Sequence, residues 1–160
     1  MPAQLSDKQI AALVHKVFPN AKVLSQEVIA SKHTDLLYHL CLSNLMETTL
    51  RVYCDPCAAD QEIRLLRMLT NETGVPVPRV LHFAEQLPDK ASLGSLDQSW
   101  ALLARLPGQP LSEIADTLDS WEAESVGYEM GRYVGHIHQI PLDEFGSLFG
   151  SGPHNHQREK

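Results

Sequence analysis

Positive charge, paired cysteines and long apolar runs are all scarce in this sequence, and each shortage closes off a class of protein. Thirteen Lys plus Arg stand against twenty Asp plus Glu, a formal net charge of -7 at pH 7. A chain this acidic is a poor wrapper of nucleic acid, and its field favours cationic small molecules instead. No apolar run approaches the length of a bilayer span, and the opening MPAQLSDKQ has neither the basic nor the apolar block of a secretory signal. The expectation is therefore no membrane, no nucleic acid and a reducing cytoplasm. Cysteine occurs at Cys41, Cys54 and Cys57 only. CDPC has the spacing of half a zinc site, but no second cysteine pair completes it. A redox pair at a helix start and a pair that merely lines a turn are the other two readings.

What is present is ordinary for a globular protein: 43% hydrophobic and 21% charged residues. The 160 residues suffice for one domain, or for one lobe and part of another. The most informative stretch runs from Thr48 to Leu69, TTLRVYCDPCAADQEIRLLRML. It reads as a strand, a turn and a helix. Alternation puts Arg51 on one strand face with Thr49 and Tyr53. Ile63, Leu65, Leu66 and Leu69 make the apolar face of the helix, and helical spacing puts Glu62 on or beside it. A carboxylate there is costly unless a cation meets it, and Arg51 is the cation at hand. On these residues alone, a solvated Arg51 and a first-turn Glu62 near the helix dipole are the plainer alternative.

The rest of the chain frames this unit. Ser6 to Gln9 fits a capping box for a helix carrying Ile10, Leu13, Val14 and Val17, which Pro19-Asn20 ends and which covers a sheet. Ala21 to Ala30 and Leu36 to Leu42 read as strands, as do Arg79 to Ala84 and Trp100 to Arg105. Asp89 to Gln98 is a solvated loop. Ser112 to Leu118 suggests a short helix, and a longer one runs from Ser120, its N-cap, to His138. Val126, Met130, Tyr133, Val134 and Ile137 form the stripe of that helix. Gly127, Gly131 and Gly135 repeat along one line of it. Each glycine inside a helix costs roughly 1 kcal/mol against alanine, so the line predicts a close neighbour, most simply a tightly packed helix. His136 and His138 fall on different faces, which argues against a joint metal site.

Five motifs in this order, LRVY, the helix Glu62, VPVPRVL, LLARLPGQPL, and GHIHQI followed by Phe145-Gly146, resemble the aminoglycoside phosphotransferase family. That family is the small-molecule branch of the protein-kinase-like fold. The resemblance covers about residues 21–146. It implies an α+β fold: a five-stranded antiparallel sheet with a helix, forming a kinase-like nucleotide lobe, followed by a partial helical lobe. The divisions implied are 1–106 for the nucleotide lobe with its leading helix, 107–150 for the start of the helical lobe, and 151–160 for a disordered tail.

By the same resemblance Arg51 holds the phosphates of ATP, Glu62 orients it, and Thr49 shares its face. Leu103 walls the base pocket, while the Ala104 carbonyl and the Leu106 N–H pair with the adenine edge. His138 is structural. Lys32 and Thr34 contact phosphate from the turn Ser31 to Asp35, where the family keeps a glycine and this sequence has none. The catalytic apparatus is missing too. There is no His-Gly-Asp, and Asp143 has Leu148 five places on where an Asn should hold magnesium. No catalytic residue and no metal ligand is thus assigned, and the chain alone is not expected to be a competent kinase. It reads as a truncated or partial phosphotransferase acting with ATP on a small-molecule hydroxyl. The rival is a non-catalytic, pseudokinase-like interaction module that self-associates, or binds a partner, through the 120–138 helix.

Overall fold

The computed structural model describes residues 4–29, 35–85 and 98–141. Lys32 and Thr34, most of the loop read at 89–98, Phe145-Gly146 and the tail lie outside them. In chain order the elements are α1 (Asp7–Val17), β1 (Val23–Ile29), β2 (Leu36–Leu42), β3 (Glu47–Tyr53) and α2 (Pro56–Glu72). After these come β4 (Val80–Ala84), β5 (Ser99–Ala104), a short α3 (Leu111–Ile114) with a 3-10 turn over Ala115–Thr117, and α4 (Ser120–His138). The five strands form one sheet in the order β1-β2-β3-β5-β4. Every neighbouring pair is antiparallel, so the expected α+β architecture is present.

Two-residue periodicity splits the sheet into two unlike faces. Tyr38, Leu40, Leu42, Leu50, Val52, Trp100 and Leu102 point one way and pack with Ile10, Leu13 and Val14 of α1. The alternate residues Tyr53, Ala101 and Leu103 point the other way and pack with Ala59 and Ile63 of α2. Helix α1 is thus the cover of the first face, as its stripe predicts. The Leu5 N–H donates to the buried Tyr38 hydroxyl at 2.7 Å, which ties the entry of α1 to β2. Gln9 returns its side chain to the Ser6 N–H at 2.8 Å, closing the first turn.

Helix α2 starts where its chemistry says it should. The Asp55 carboxylate accepts from the Cys57 N–H at 2.9 Å, and Pro56 occupies the first helical position. CDPC is therefore a helix start, and none of the three cysteines is in a disulfide.

Two expectations need correcting at α4. Its N-cap is Asp119, not Ser120: Asp119 accepts from the Glu122 N–H at 2.8 Å and its own N–H donates to Glu122 at 2.9 Å. Both residues can cap, but only Asp119 has a glutamate three places on to close the box. The second correction concerns the glycine line. A Cβ built on Gly127, Gly131 or Gly135 meets nothing within 4 Å, so among the described residues no helix lies against them. No residue of α4 is buried; Trp121 keeps 74% of its surface, Tyr128 72%, and Met130, Val134 and Ile137 are exposed as well.

The contrast between the sheet core and α4 gives a direct test by urea denaturation. Leu102→Ala should cost about 2–5 kcal/mol, as for any fully buried leucine. Val134→Ala should change stability by less than about 0.5 kcal/mol. A large loss at Val134 would mean that α4 packs on something in solution.

Candidate functional site

The face of the sheet turned toward α2 carries the polar side chains. On β3, Thr48, Leu50 and Val52 are buried on the α1 side, which leaves Thr49, Arg51 and Tyr53 on the other. The turn between β3 and α2 is two residues long, so α2 doubles back across this face. Ala59 and Ile63 dock on Tyr53, Ala101 and Leu103, and that docking brings Glu62, the neighbour of Ile63, over Arg51. Arg51 Nη1 donates to Glu62 Oε1 at 2.7 Å. The pairing expected from spacing is made.

A second carboxylate completes the cluster, and its role is not evident in the sequence. Asp35, just ahead of β2, accepts from Arg51 through Oδ2, at 3.2 Å from Nε and 2.9 Å from Nη2. Its other oxygen accepts from the Cys54 N–H at 3.0 Å. The signal that finds it is strand register. Leu37 pairs with Arg51 across the hairpin, which carries Asp35 opposite Tyr53 and diagonal to Arg51. The guanidinium also lies over the Tyr53 ring, 4.8 Å from its centroid. The Tyr53 hydroxyl is buried with no hydrogen-bond partner among the described residues.

All three charged side chains are half-sheltered, with 26% of Arg51, 15% of Asp35 and 28% of Glu62 accessible. One positive charge against two negative leaves the cluster at about -1. Burial pushes the Glu62 carboxyl above its ordinary value; Arg51 pulls it back and Asp35 pushes it further up. Burial also raises the Tyr53 phenol, with Glu62 adding to it. For Arg51, burial works against the charge, and the bonds to Asp35 and the field of Glu62 more than offset it.

The cluster is one end of a row. Two residues along β3 from Arg51 stands Thr49, paired on one side with His39 and on the other with Leu103. Two further on is Glu47, whose carbonyl accepts from the Arg105 N–H at 3.2 Å. Arg105 Nη1 in turn contacts His39 Nε2 at 2.7 Å and Glu47 Oε2 at 3.2 Å. The Ala104 N–H is taken by the Arg79 carbonyl at 2.9 Å, while Leu106 is exposed and its N–H has no partner among the described residues. Arg51, Glu62, Thr49, Leu103, Ala104 and Leu106 therefore share one side of the sheet or its end. At about 3.3 Å per residue, the row spans roughly 13 Å from Arg51 to Glu47.

A separate open groove of about 710 Å³ lies between α1 and β1, lined in part by Asp7, His15, Lys22 and Gln26. It includes no residue of the Arg51 cluster. Among the described residues no group of His, Cys, Asp or Glu is arranged to hold a metal ion, and no helix is long and apolar enough to cross a membrane.

Residues 27–159 match the model of the phosphotransferase enzyme family, APH. The chain belongs to this family. The match runs past Phe145-Gly146, where the sequence motifs stop. No curated protein sequence is significantly similar to this phosphotransferase-family chain. Among solved structures, it is similar to the aminoglycoside phosphotransferase in "Structure of the GDP and kanamycin complex of APH(2")-IIia", with a TM-score of 0.61 and 15% identity. The similarity covers 83% of this chain and 42% of that one. At such an identity the likeness establishes the kinase-like fold and nothing finer. The phosphotransferase-family chain thus spans less than half the length of that relative.

The raised Glu62 carboxyl fixes a sign for pH dependence. A carboxyl whose folded value exceeds its unfolded one contributes stability below the ordinary value of 4.5, and loses it as pH rises through the folded value. The stability of the wild-type chain relative to Glu62→Gln should therefore fall over that window, measured by denaturation at a series of pH values. A relative gain with rising pH would show that Arg51 outweighs burial and Asp35.

Proposed function

We propose that this chain is the nucleotide-binding portion of a small-molecule phosphotransferase. The single observation that carries the reading is the Arg51–Glu62 ion pair, set on the same sheet face as Thr49 and Leu103 and ending at 104–106. In this arrangement Arg51 donates to the phosphates of ATP and Glu62 holds it in place. Thr49 and Leu103 line the middle of the row, and the Ala104 carbonyl and Leu106 N–H take the base edge. An arginine serves because its planar fork spans two oxygens while one edge stays on a carboxylate. The Leu106 N–H, unpartnered among the described residues, fits the base end of the row, and the solved relative, captured with GDP and kanamycin, lends support to a nucleotide and a small molecule as ligands.

Catalysis in this chemistry is positioning and charge neutralisation around the transferring phosphoryl. This chain supplies the positioning half. The sequence carries no His-Gly-Asp, and among the described residues no group of His, Cys, Asp or Glu is arranged to hold magnesium. On this reading residues 1–106 form the nucleotide lobe and 107–150 open a helical lobe. No residue of this chain is assigned as catalytic Asp or metal ligand, and the protein works in the cytoplasm where nucleotide is abundant.

A saturating titration tests it. ATP at about 100 times its Kd should stabilise the chain by about 2.7 kcal/mol. Arg51→Ala should remove the effect, as read by thermal unfolding with and without nucleotide. An undiminished effect in Arg51→Ala removes the phosphate role, and no effect in the wild type removes the nucleotide reading.

A second reading has its own observation, the uncovered stripe of α4. Burying each such side chain is worth roughly 1.5–3 kcal/mol, so the face is a strong driver of association in a non-catalytic interaction module. Sedimentation should then show concentration-dependent self-association that weakens in Met130→Ser. A strict monomer at high concentration argues against the module.

A further inference from the structure

The contact made by Asp35 has a consequence for ligand affinity that rests on the nucleotide reading of the site. We propose that Asp35 sets how tightly the site holds phosphate: its carboxylate occupies the Arg51 donors a phosphate would use, so binding is an exchange of one anion for another.

The geometry carries this in three steps. Arginine offers five N–H donors in a fixed plane. Asp35 Oδ2 takes Nε at 3.2 Å and Nη2 at 2.9 Å, and Glu62 takes Nη1 at 2.7 Å. A carboxylate and a phosphate present the same kind of oxygen to that fork, so Asp35 stands where a phosphate oxygen would. The two carboxylates are not equivalent. Glu62 rides on α2, whose packing through Ala59 and Ile63 fixes its place. Asp35 lies ahead of β2, and its second oxygen is tied to the Cys54 N–H at 3.0 Å. If a phosphate displaces it from Arg51, that tether keeps its charge nearby. Competition for donors and repulsion between anions then act in the same direction, and both weaken binding.

Inorganic tripolyphosphate, without divalent cations, isolates this effect from base recognition. Calorimetric titration of the full 160-residue chain should show Asp35→Asn binding at least about tenfold more tightly than wild type. Asparagine keeps an oxygen for the Cys54 N–H, and Asp35→Ser provides a second neutral side chain should Asp35→Asn not fold. Glu62→Gln removes the same unit of charge and should give no such gain. In the wild type, tripolyphosphate should move the Arg51 Nε–H and Cys54 amide resonances together, because Asp35 bridges them. Equal or weaker binding by the neutral Asp35 variants, or an equal gain in Glu62→Gln, overturns the role of Asp35 and leaves the site standing. An Arg51 Nε–H shift without a Cys54 shift does the same. Failure of wild type and variants alike to bind removes both the role and the nucleotide site.

Discussion

A half-buried guanidinium shared between two carboxylates is the constraint on which this structure turns. Arg51 is drawn off the solvent by a sheet face that must otherwise be apolar to receive α2. A charge in that position is tolerated only when its donors are satisfied. Glu62 takes Nη1 from a helix, and Asp35 takes Nε and Nη2 from just ahead of a strand. The contact therefore ties three separate elements, β2, β3 and α2, to one point. Helix α2 gains its grip from Ala59 and Ile63, but its rotation is the one that puts Glu62 over Arg51.

The same constraint organises the chemistry. With α1 covering one face of the sheet and α2 only part of the other, the row from Arg51 through Thr49 to residues 104–106 is left at the open side. Arg51 with its two carboxylates sits at one end of that row, and Arg105, Glu47 and the backbone of 104–106 at the other. The chain belongs to the phosphotransferase family and has the kinase-like fold. The chain spans 42% of the length of the solved relative.

Much of this was legible in the sequence because it is local. Arg51 and Glu62 are eleven residues apart across a two-residue turn, so strand and helix periodicities alone bring them to facing surfaces. The capping boxes at Ser6 and at α4, and the apolar stripe of α1, are equally short-range. Asp35 was not legible in this way. Its approach to Arg51 depends on hairpin register, and it closes a polar stretch that reads more naturally as a phosphate-covering turn. The proposed base-binding role of residues 104–106 escapes sequence reading for another reason, since backbone groups can pair with a ligand whatever their side chains are. The glycines of α4 misled in the opposite direction. Their cost inside a helix suggested a close neighbour, yet the described residues place nothing there. Composition records that a helix tolerates glycine, not which surface, if any, rewards it.

Hydrogen–deuterium exchange of the whole chain with and without ATP tests the central claim most directly, because it locates the ligand rather than merely detecting it. Protection confined to 49–53, 62–66 and 103–106 is the result expected of a nucleotide lying along the Arg51 row. Protection centred instead on α1 and β1, around the groove between Asp7 and Gln26, would contradict it.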